Sequence, residues 1–398
     1  MWKLYGKSYD LTSFAQHHPG GAEIIEKTKG LEDCTALFES YHAFSDLESI
    51  KQSLDKYEKP LVADDDTVIV NTYNTDFTTY YKLIEKIKEV FPDRASVKAP
   101  PSWYLFVSVI GCAYMYLLYH MIMNTHHAFL QCILAFISST MEVSLLFNIL
   151  HDSSHYAITT DYKVNTAFSI ISQSWTIWNH SIWYLHHVIL HHSFTGDEQD
   201  PDKYLYEYAH MIDISHLSPS TQHLINTIIF AFFPGQHTLQ SFLYAKRAFN
   251  KYTTHKYYCT TELAIIFCKI LFLCRIGILP AIFYVLNLNV LYYINIFPNH
   301  DLYDTYNNHY DGPDWAKRQI CNSGNFANQY KWWSMIFGGI NHQIEHHLFP
   351  NMSNHHYPTI APIVKKFCQD NDLPYVHEPT LESAYQSFMK RIVAKKEQ

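Results

Sequence analysis

The 398 residues carry no excess of positive charge, since 29 Lys and Arg stand against 37 Asp and Glu for a formal net charge of -8. There is also no dense Lys/Arg cluster with interleaved aromatics. Nucleic acid is therefore excluded as a partner, because phosphate backbones are held by basic fields. The eight cysteines form no CxxC pair, lie mostly in apolar runs and follow no signal-peptide pattern. They read as reduced, buried thiols of a cytosol-facing protein. No HExxH segment occurs, which argues against a soluble zinc hydrolase. Between Asn124 and Leu150 there is no Lys or Arg, whereas Lys82, Lys86, Lys88, Arg94 and Lys98 crowd the stretch before Trp103. That asymmetry assigns the N-terminal side to the cytosol.

Histidine is what the chain has in excess: 26 residues, nearly as many as Lys and Arg together at 29. Imidazole is the commonest metal ligand and a poor packing group, so this excess calls for a site. Long apolar runs are the second feature. Trp103 to Met123 and Phe129 to Leu150 are each long enough to cross a bilayer core, and the polar turn between them makes a transmembrane hairpin. A second apolar region runs from Ala264 to Phe297, interrupted by Lys269, Arg275 and Pro280. Split at Pro280, it reads as two short or re-entrant helices, and an even number of crossings keeps the histidine-rich segments on one side. Glu142, inside the second run, is an intramembrane charge that needs a task or a partner; packing beside a buried acyl chain is the expected setting. Ahead of the membrane part, Phe77 to Phe91 places Tyr81, Ile84, Ile87 and Phe91 among Lys and Glu, the pattern of an amphipathic surface helix.

The histidines gather in three clusters. His151-Asp152-Ser153-Ser154-His155 follows the second apolar run directly, and an i, i+4 pair on one helical face can meet one metal just outside the membrane. In His187-Val188-Ile189-Leu190-His191-His192, His187 and His191 share a face, while His192 projects beside it toward a second ion. Asp200-Pro201-Asp202 follows. The third cluster is Gln343-Ile344-Glu345-His346-His347, with His342 before it and Leu348-Phe349-Pro350 after. Gln343 places a weak amide ligand beside that His pair, and His300, just beyond the second apolar region, can add another ligand on the same side. Such nitrogen-rich sets suit iron, copper or zinc rather than magnesium or calcium, and spacing alone does not choose among the three.

At the N-terminus, His18-Pro19-Gly20-Gly21 and the later His42 are spaced as two axial ligands gripping one heme from opposite faces. The glycines let the backbone turn tightly beside the macrocycle. Bis-histidine ligation leaves no open position, so such a heme carries electrons and binds no oxygen.

In the HPGG segment, HDSSH, HVILHH, and QIEHH within Gly338 to Pro350, the chain resembles front-end fatty-acid desaturases with a fused cytochrome b5-like domain, of the membrane fatty-acid desaturase family. Glutamine opening the third box is the most discriminating mark. The resemblance implies a mainly α membrane protein, with transmembrane hairpins under a cytosolic histidine-box cap and a small α+β cytochrome b5-like domain in front. The expected units are 1–58 for the heme domain, 59–101 for a linker with the amphipathic helix and 102–398 for the desaturase domain. Two non-heme iron ions would be held by His151, His155, His187, His191, His192, His346 and His347, with Gln343 at or near the metal, and heme b by His18 and His42. A fatty-acyl lipid, O2 and NADH-cytochrome b5 reductase as electron source are the implied partners. The resemblance also leads one to expect a missing first strand and helix before Gly6-Lys7-Ser8-Tyr9-Asp10, and a compressed stretch between Lys269 and His300. Lys395-Lys396-Glu397-Gln398 resembles an endoplasmic-reticulum retrieval tail. A hydroxylase on the same scaffold, or a heme carrier whose boxes hold no iron, are the competing readings.

Overall fold

The computed structural model describes residues 1–31, 33–60, 75–123, 127–197, 199–202, 216–218, 220–222, 224–225, 228 and 260–396, with side chains through Arg391. The retrieval-like tail lies outside the described side chains. Trp2–Leu4 (β1) and Lys7–Tyr9 (β2) pair antiparallel with Leu4 opposite Lys7. Between them Tyr5 and Gly6 both take positive φ, 54° and 71°, the backbone of a two-residue hairpin turn whose twist matches its strands. Glu58–Lys59 (β3) adds to β2, so both ends of this unit meet in one sheet. Ala22–Lys27 (α1), Thr35–His42 (α2) and Leu47–Leu54 (α3) lie between, and the Asp46 carboxylate caps α3 by accepting from the Ser49 N–H. Contrary to expectation, a strand does precede Gly6-Lys7-Ser8-Tyr9-Asp10. It carries Trp2, which is buried and donates its indole N–H to the Ile25 carbonyl at 2.6 Å, tying the sheet to α1.

Thr78–Lys88 (α4) is amphipathic as expected, and Ile84, Ile87 and the following Phe91 of the expected stripe are buried. Tyr80 and Leu83 join that face in place of Tyr81, and it packs on Trp315, Ile344, Leu348 and Phe349 in the core of the histidine-box cap. The Tyr80 hydroxyl donates to the Leu348 carbonyl at 2.8 Å, while Tyr81 points outward to Glu39 of the N-terminal unit. The helix thus joins the cap to the unit before it.

Pro101–Met123 (α5) and Ala128–Leu145 (α6), the latter continuing helically to Ser154, are apolar and long enough to cross a membrane, as is Ile278–Ile296. Leu105, Val109, Phe129, Phe136 and Ile278 on them are exposed, which suits a hydrocarbon solvent and no other. The second hairpin departs from expectation at its corner. Thr260–Ile276 and Ile278–Ile296 are separated by Gly277 at φ 92°, a region that only glycine enters without strain. Pro280 falls in the first turn of the following helix, where a backbone N–H would have no helical acceptor. Because the first of these helices starts at Thr260, the pair has 17 and 19 residues, about 26 and 28 Å at 1.5 Å per residue, close to a hydrocarbon core.

Glu142 has its partner in the Lys269 ammonium at 2.6 Å, with both side chains 3% exposed. The Tyr114 and Tyr284 hydroxyls donate to the same carboxylate, and the Trp175 indole donates to Tyr114 at 2.7 Å. The two residues that break the apolar runs therefore cancel each other's charge between α6 and the Thr260–Ile276 helix. Removing one partner of a buried pair strands the other. Lys269→Met is accordingly expected to lower stability by about 3 to 5 kcal/mol, and Glu142→Leu with Lys269→Met by distinctly less. Thermal unfolding in detergent measures both, and an equal loss for single and double variants would show that the pair is not coupled.

Candidate active site

All three boxes and His300 converge beneath the cap; His151 and His155 meet as i, i+4 spacing predicts and the third box is α-helical, while two of the segments carrying the boxes wind more widely. Leu146–His151 and Tyr184–His191 wind as π-helices, with i→i+5 bonds, and such segments recur at functional sites. The winding redistributes the imidazoles. His151, His155, His187 and His346 form one group, and His191, His300 and His347 another, with the ligand-capable atoms of each within 4.8 Å of one another. His192 sits between, its ring centroid 4.6 Å from His346 and 4.4 Å from His347. His187 and His191, expected on one face, also meet each other and Asp202 with ligand-capable atoms within 4.8 Å, and His346 and His347 do the same with His192, so each pair stays together while its members also enter the two larger groups.

Gln343 stands beside the second group, its amide N–H donating to His300 Nε2 at 3.1 Å while its Oε1 is buried without a partner. His342 turns away to the Ser334 hydroxyl at 3.1 Å and belongs to neither group.

An outer layer fixes which nitrogen faces inward. His191 Nδ1 bonds Asp200 Oδ1 at 2.8 Å, His347 Nδ1 bonds Gln319 Oε1 at 2.9 Å and His346 Nδ1 pairs with the Tyr357 hydroxyl at 3.1 Å. His300 Nδ1 bonds the Asn322 carbonyl at 2.8 Å, and His155 Nδ1 pairs with the Tyr41 hydroxyl at 2.8 Å. The opposite Nε2 atoms of His155, His346 and His347, and both nitrogens of His192, are buried and unpartnered. His151 and His187 bring their Nε2 atoms to 3.3 Å. Ligand tautomers are set in this way in metal centres, where the outer partner also raises ligand basicity.

Burial holds His155, His187, His192, His346 and His347 well below the usual histidine range, and neighbouring imidazoles push them further down. Their lone pairs are free at neutral pH. Burial acts the same way on His191, but the Asp200 and Asp202 carboxylates outweigh it and lift the group to about 9. Buried unpartnered nitrogens and a donor set that is nitrogen apart from Asp202 fit first-row transition ions. Tyr41, Gln319 and Tyr357 escaped sequence reading, since isolated Tyr and Gln carry no spacing signal. The Asp200-Pro201-Asp202 segment was visible, though its role was not.

The N-terminal unit encloses a cavity of about 580 Å³ lined by His18, Gly20, Leu37, Phe38 and His42. His18 Nδ1 donates to the Gly21 carbonyl at 3.0 Å and His42 Nδ1 to the Phe38 carbonyl at 2.7 Å, leaving Nε2 of each as the lone-pair nitrogen. Burial lowers both, His42 to about 4, so both are neutral. Their ring centroids lie 6.3 Å apart, and the two rings would hold a heme iron between them. The two glycines have separate tasks. A Cβ on Gly20 would meet His18 Cε1 at 2.7 Å, and a Cβ on Gly21, at φ 93°, would meet the Tyr162 ring at 2.6 Å. One clears the ligand ring, and the other allows close approach to the membrane domain.

This arrangement, a histidine-lined metal pocket on membrane helices joined to a bis-histidine heme fold, defines a membrane oxidoreductase with its own electron-carrier domain. The fatty acid desaturase family matches residues 124–379, more than half of the chain, and a cytochrome b5-like heme/steroid binding domain matches residues 2–84. The chain belongs to the fatty acid desaturase family. It is 26% identical to an acyl-lipid (8-3)-desaturase of Mortierella alpina over 98% of this chain and 92% of that one. It is also 26% identical to a probable Delta(5) fatty acid desaturase C of Dictyostelium discoideum (97% and 90% covered) and 24% identical to an acyl-lipid (7-3)-desaturase of Rebecca salina (97% and 88%).

Gly20→Ala is expected to push the His18 ring from its place and strip most heme from the purified protein. Soret absorbance per chain reads this out, and full heme occupancy in the variant would refute the role given to Gly20.

Proposed function

We propose that this fatty acid desaturase is a front-end enzyme of the delta-5 or delta-6 type. It inserts a cis double bond between an existing one and the carboxyl end of an unsaturated acyl chain. The observation that carries the proposal is the double group of buried imidazoles, whose unpartnered nitrogens face one another. His151, His155, His187 and His346 would hold one iron ion, His191, His300 and His347 the other, with His192 shared between them and Gln343 adjoining His300. When bound, the iron pair supplies the oxidising power over O2 that no side chain has, which an unactivated C–H bond demands. Two hydrogen atoms leave the acyl chain, and with two further electrons and two protons they reduce O2 to two waters; His18 and His42 would hold the heme b that supplies those further electrons. Those external electrons come from NADH-cytochrome b5 reductase.

The chain's own residues keep the site dry and oriented. Asp200, Gln319 and Tyr357 hold the Nδ1 side of His191, His347 and His346, so that Nε2 is presented inward. Burial excludes water that would compete for the ligands or the reactive centre. Both termini and the boxes face the cytosol in this reading, with the endoplasmic reticulum as the membrane. The named relatives, acyl-lipid (8-3) and Delta(5) desaturases among them, support the front-end regiochemistry.

Expression in a host lacking polyunsaturated lipids, fed candidate fatty acids, is expected to yield new double bonds on the carboxyl side of existing ones, located by mass spectrometry. Hydroxylated products, or none from a heme-loaded protein, would sink the proposal. His187→Ala is expected to abolish product and lower non-heme iron per chain while leaving the low-spin heme spectrum intact. Product persisting in that variant would refute the assigned ligand set.

A further inference from the structure

His42 and Tyr41 are consecutive residues at the end of α2, and they serve different sites. His42 lines the heme cavity with its Nδ1 tied to the Phe38 carbonyl. Tyr41 lines the same cavity, yet its hydroxyl reaches out of the N-terminal unit to His155 Nδ1 at 2.8 Å, with the two rings nearly parallel at 23°. His155 is the last residue of the first box, and its opposite nitrogen is buried and unpartnered in the His151, His155, His187, His346 group.

The contact is built rather than grazing. Asn351, just after the third box, donates its side-chain amide to the Tyr41 carbonyl at 2.8 Å. The Asn351 carbonyl in turn accepts from the buried Lys98 ammonium at 2.7 Å, which also donates to the Tyr156 carbonyl at 2.8 Å. On the other side of His42, Phe44 packs on Phe349 with ring centroids 5.8 Å apart. The end of α2 is therefore clamped from both sides by the box-bearing segments.

Resting on the functional reading above, we infer that Tyr41 is the bridge by which electrons pass from the heme domain to the histidine-held irons, along the covalent path from His42 to Tyr41 and across one hydrogen bond to His155. Tunnelling falls off more steeply across empty gaps than along bonds, so one short hydrogen bond in a continuous covalent path favours this route over a jump between packed surfaces. In each transfer a ferrous heme loses one electron and becomes ferric, and one ferric iron of the His155 group gains it and becomes ferrous. No bond breaks, Tyr41 keeps its O–H, and two such transfers accompany each double bond. Tyr41 is a positioning residue, since it acts through His155.

Tyr41→Phe keeps the ring and removes the hydroxyl. In the full-length, heme- and iron-loaded protein, pre-reduced and mixed with O2 and the acyl substrate identified above, stopped-flow absorbance follows reoxidation of the ferrous heme. The variant is expected to reoxidise roughly tenfold more slowly, a barrier about 1.4 kcal/mol higher. Its low-spin heme spectrum should match the unaltered protein, and heme reoxidation should slow by a clearly larger factor than non-heme iron content or dithionite-driven single-turnover yield falls. Reoxidation at the unaltered rate overturns the bridge. So does a parallel fall in iron content or dithionite-driven yield, which would make Tyr41 a holder of the metal site alone. If the unaltered protein binds heme but no non-heme iron, or reoxidises without regard to substrate, the functional reading itself has failed, and that is seen before any variant is made.

Discussion

An imidazole nitrogen buried without a partner costs roughly 1 to 3 kcal/mol, and this chain gathers several within a few ångströms of one another. Around five of them the surroundings leave only the inward nitrogen facing the cluster, while His192 has a partner at neither nitrogen. Asp200, Gln319, Tyr357, the Asn322 carbonyl and Tyr41 each take the outward one. The protein alone does not compensate the inner lone pairs. That deficit is what gives the site affinity for cations.

The membrane part answers to a different solvent. In hydrocarbon every backbone group must be satisfied within its own helix, so the spans are continuous and the break between the last two is confined to Gly277. Ionised groups there survive by mutual compensation. Lys269 and Glu142 meet at 2.6 Å and draw in two tyrosine hydroxyls. Glu142 lies in the same continuous helix as His151, so the ion pair and the first box are carried by one element.

The N-terminal unit is not a loosely tethered accessory. Its own apolar residues, Leu4, Leu11 and Leu37, share one core with Ile182, Leu185 and Val188 around the second box. Glu23 reaches His180 at 3.3 Å, and Gly21 leaves room for Tyr162. Burying common apolar surface removes the entropy that a free carrier loses at each encounter. It also holds one face of the heme pocket toward the boxes.

The ligand inventory was legible in the sequence, because metal chemistry needs particular residue types and these stand out against any composition. The fold brings the three boxes and His300 together and puts His18 and His42 on one cavity. The apolar runs announced the spans for the same reason, since a bilayer demands length and hydrophobicity wherever the helix sits. Three-dimensional packing alone decided how the ligands were shared. The π-winding at Leu146–His151 and Tyr184–His191 has no spacing signature, so the approach of His187 to His151, His155 and His346, and of His191 to His300 and His347, could not be read in advance. The helix corner at Gly277 rather than Pro280, the burial of α4 in the cap and the reach of Tyr41 to His155 are of the same kind. Each depends on which surfaces meet across more than a hundred residues of chain, whereas residue chemistry is local and is written in the sequence itself.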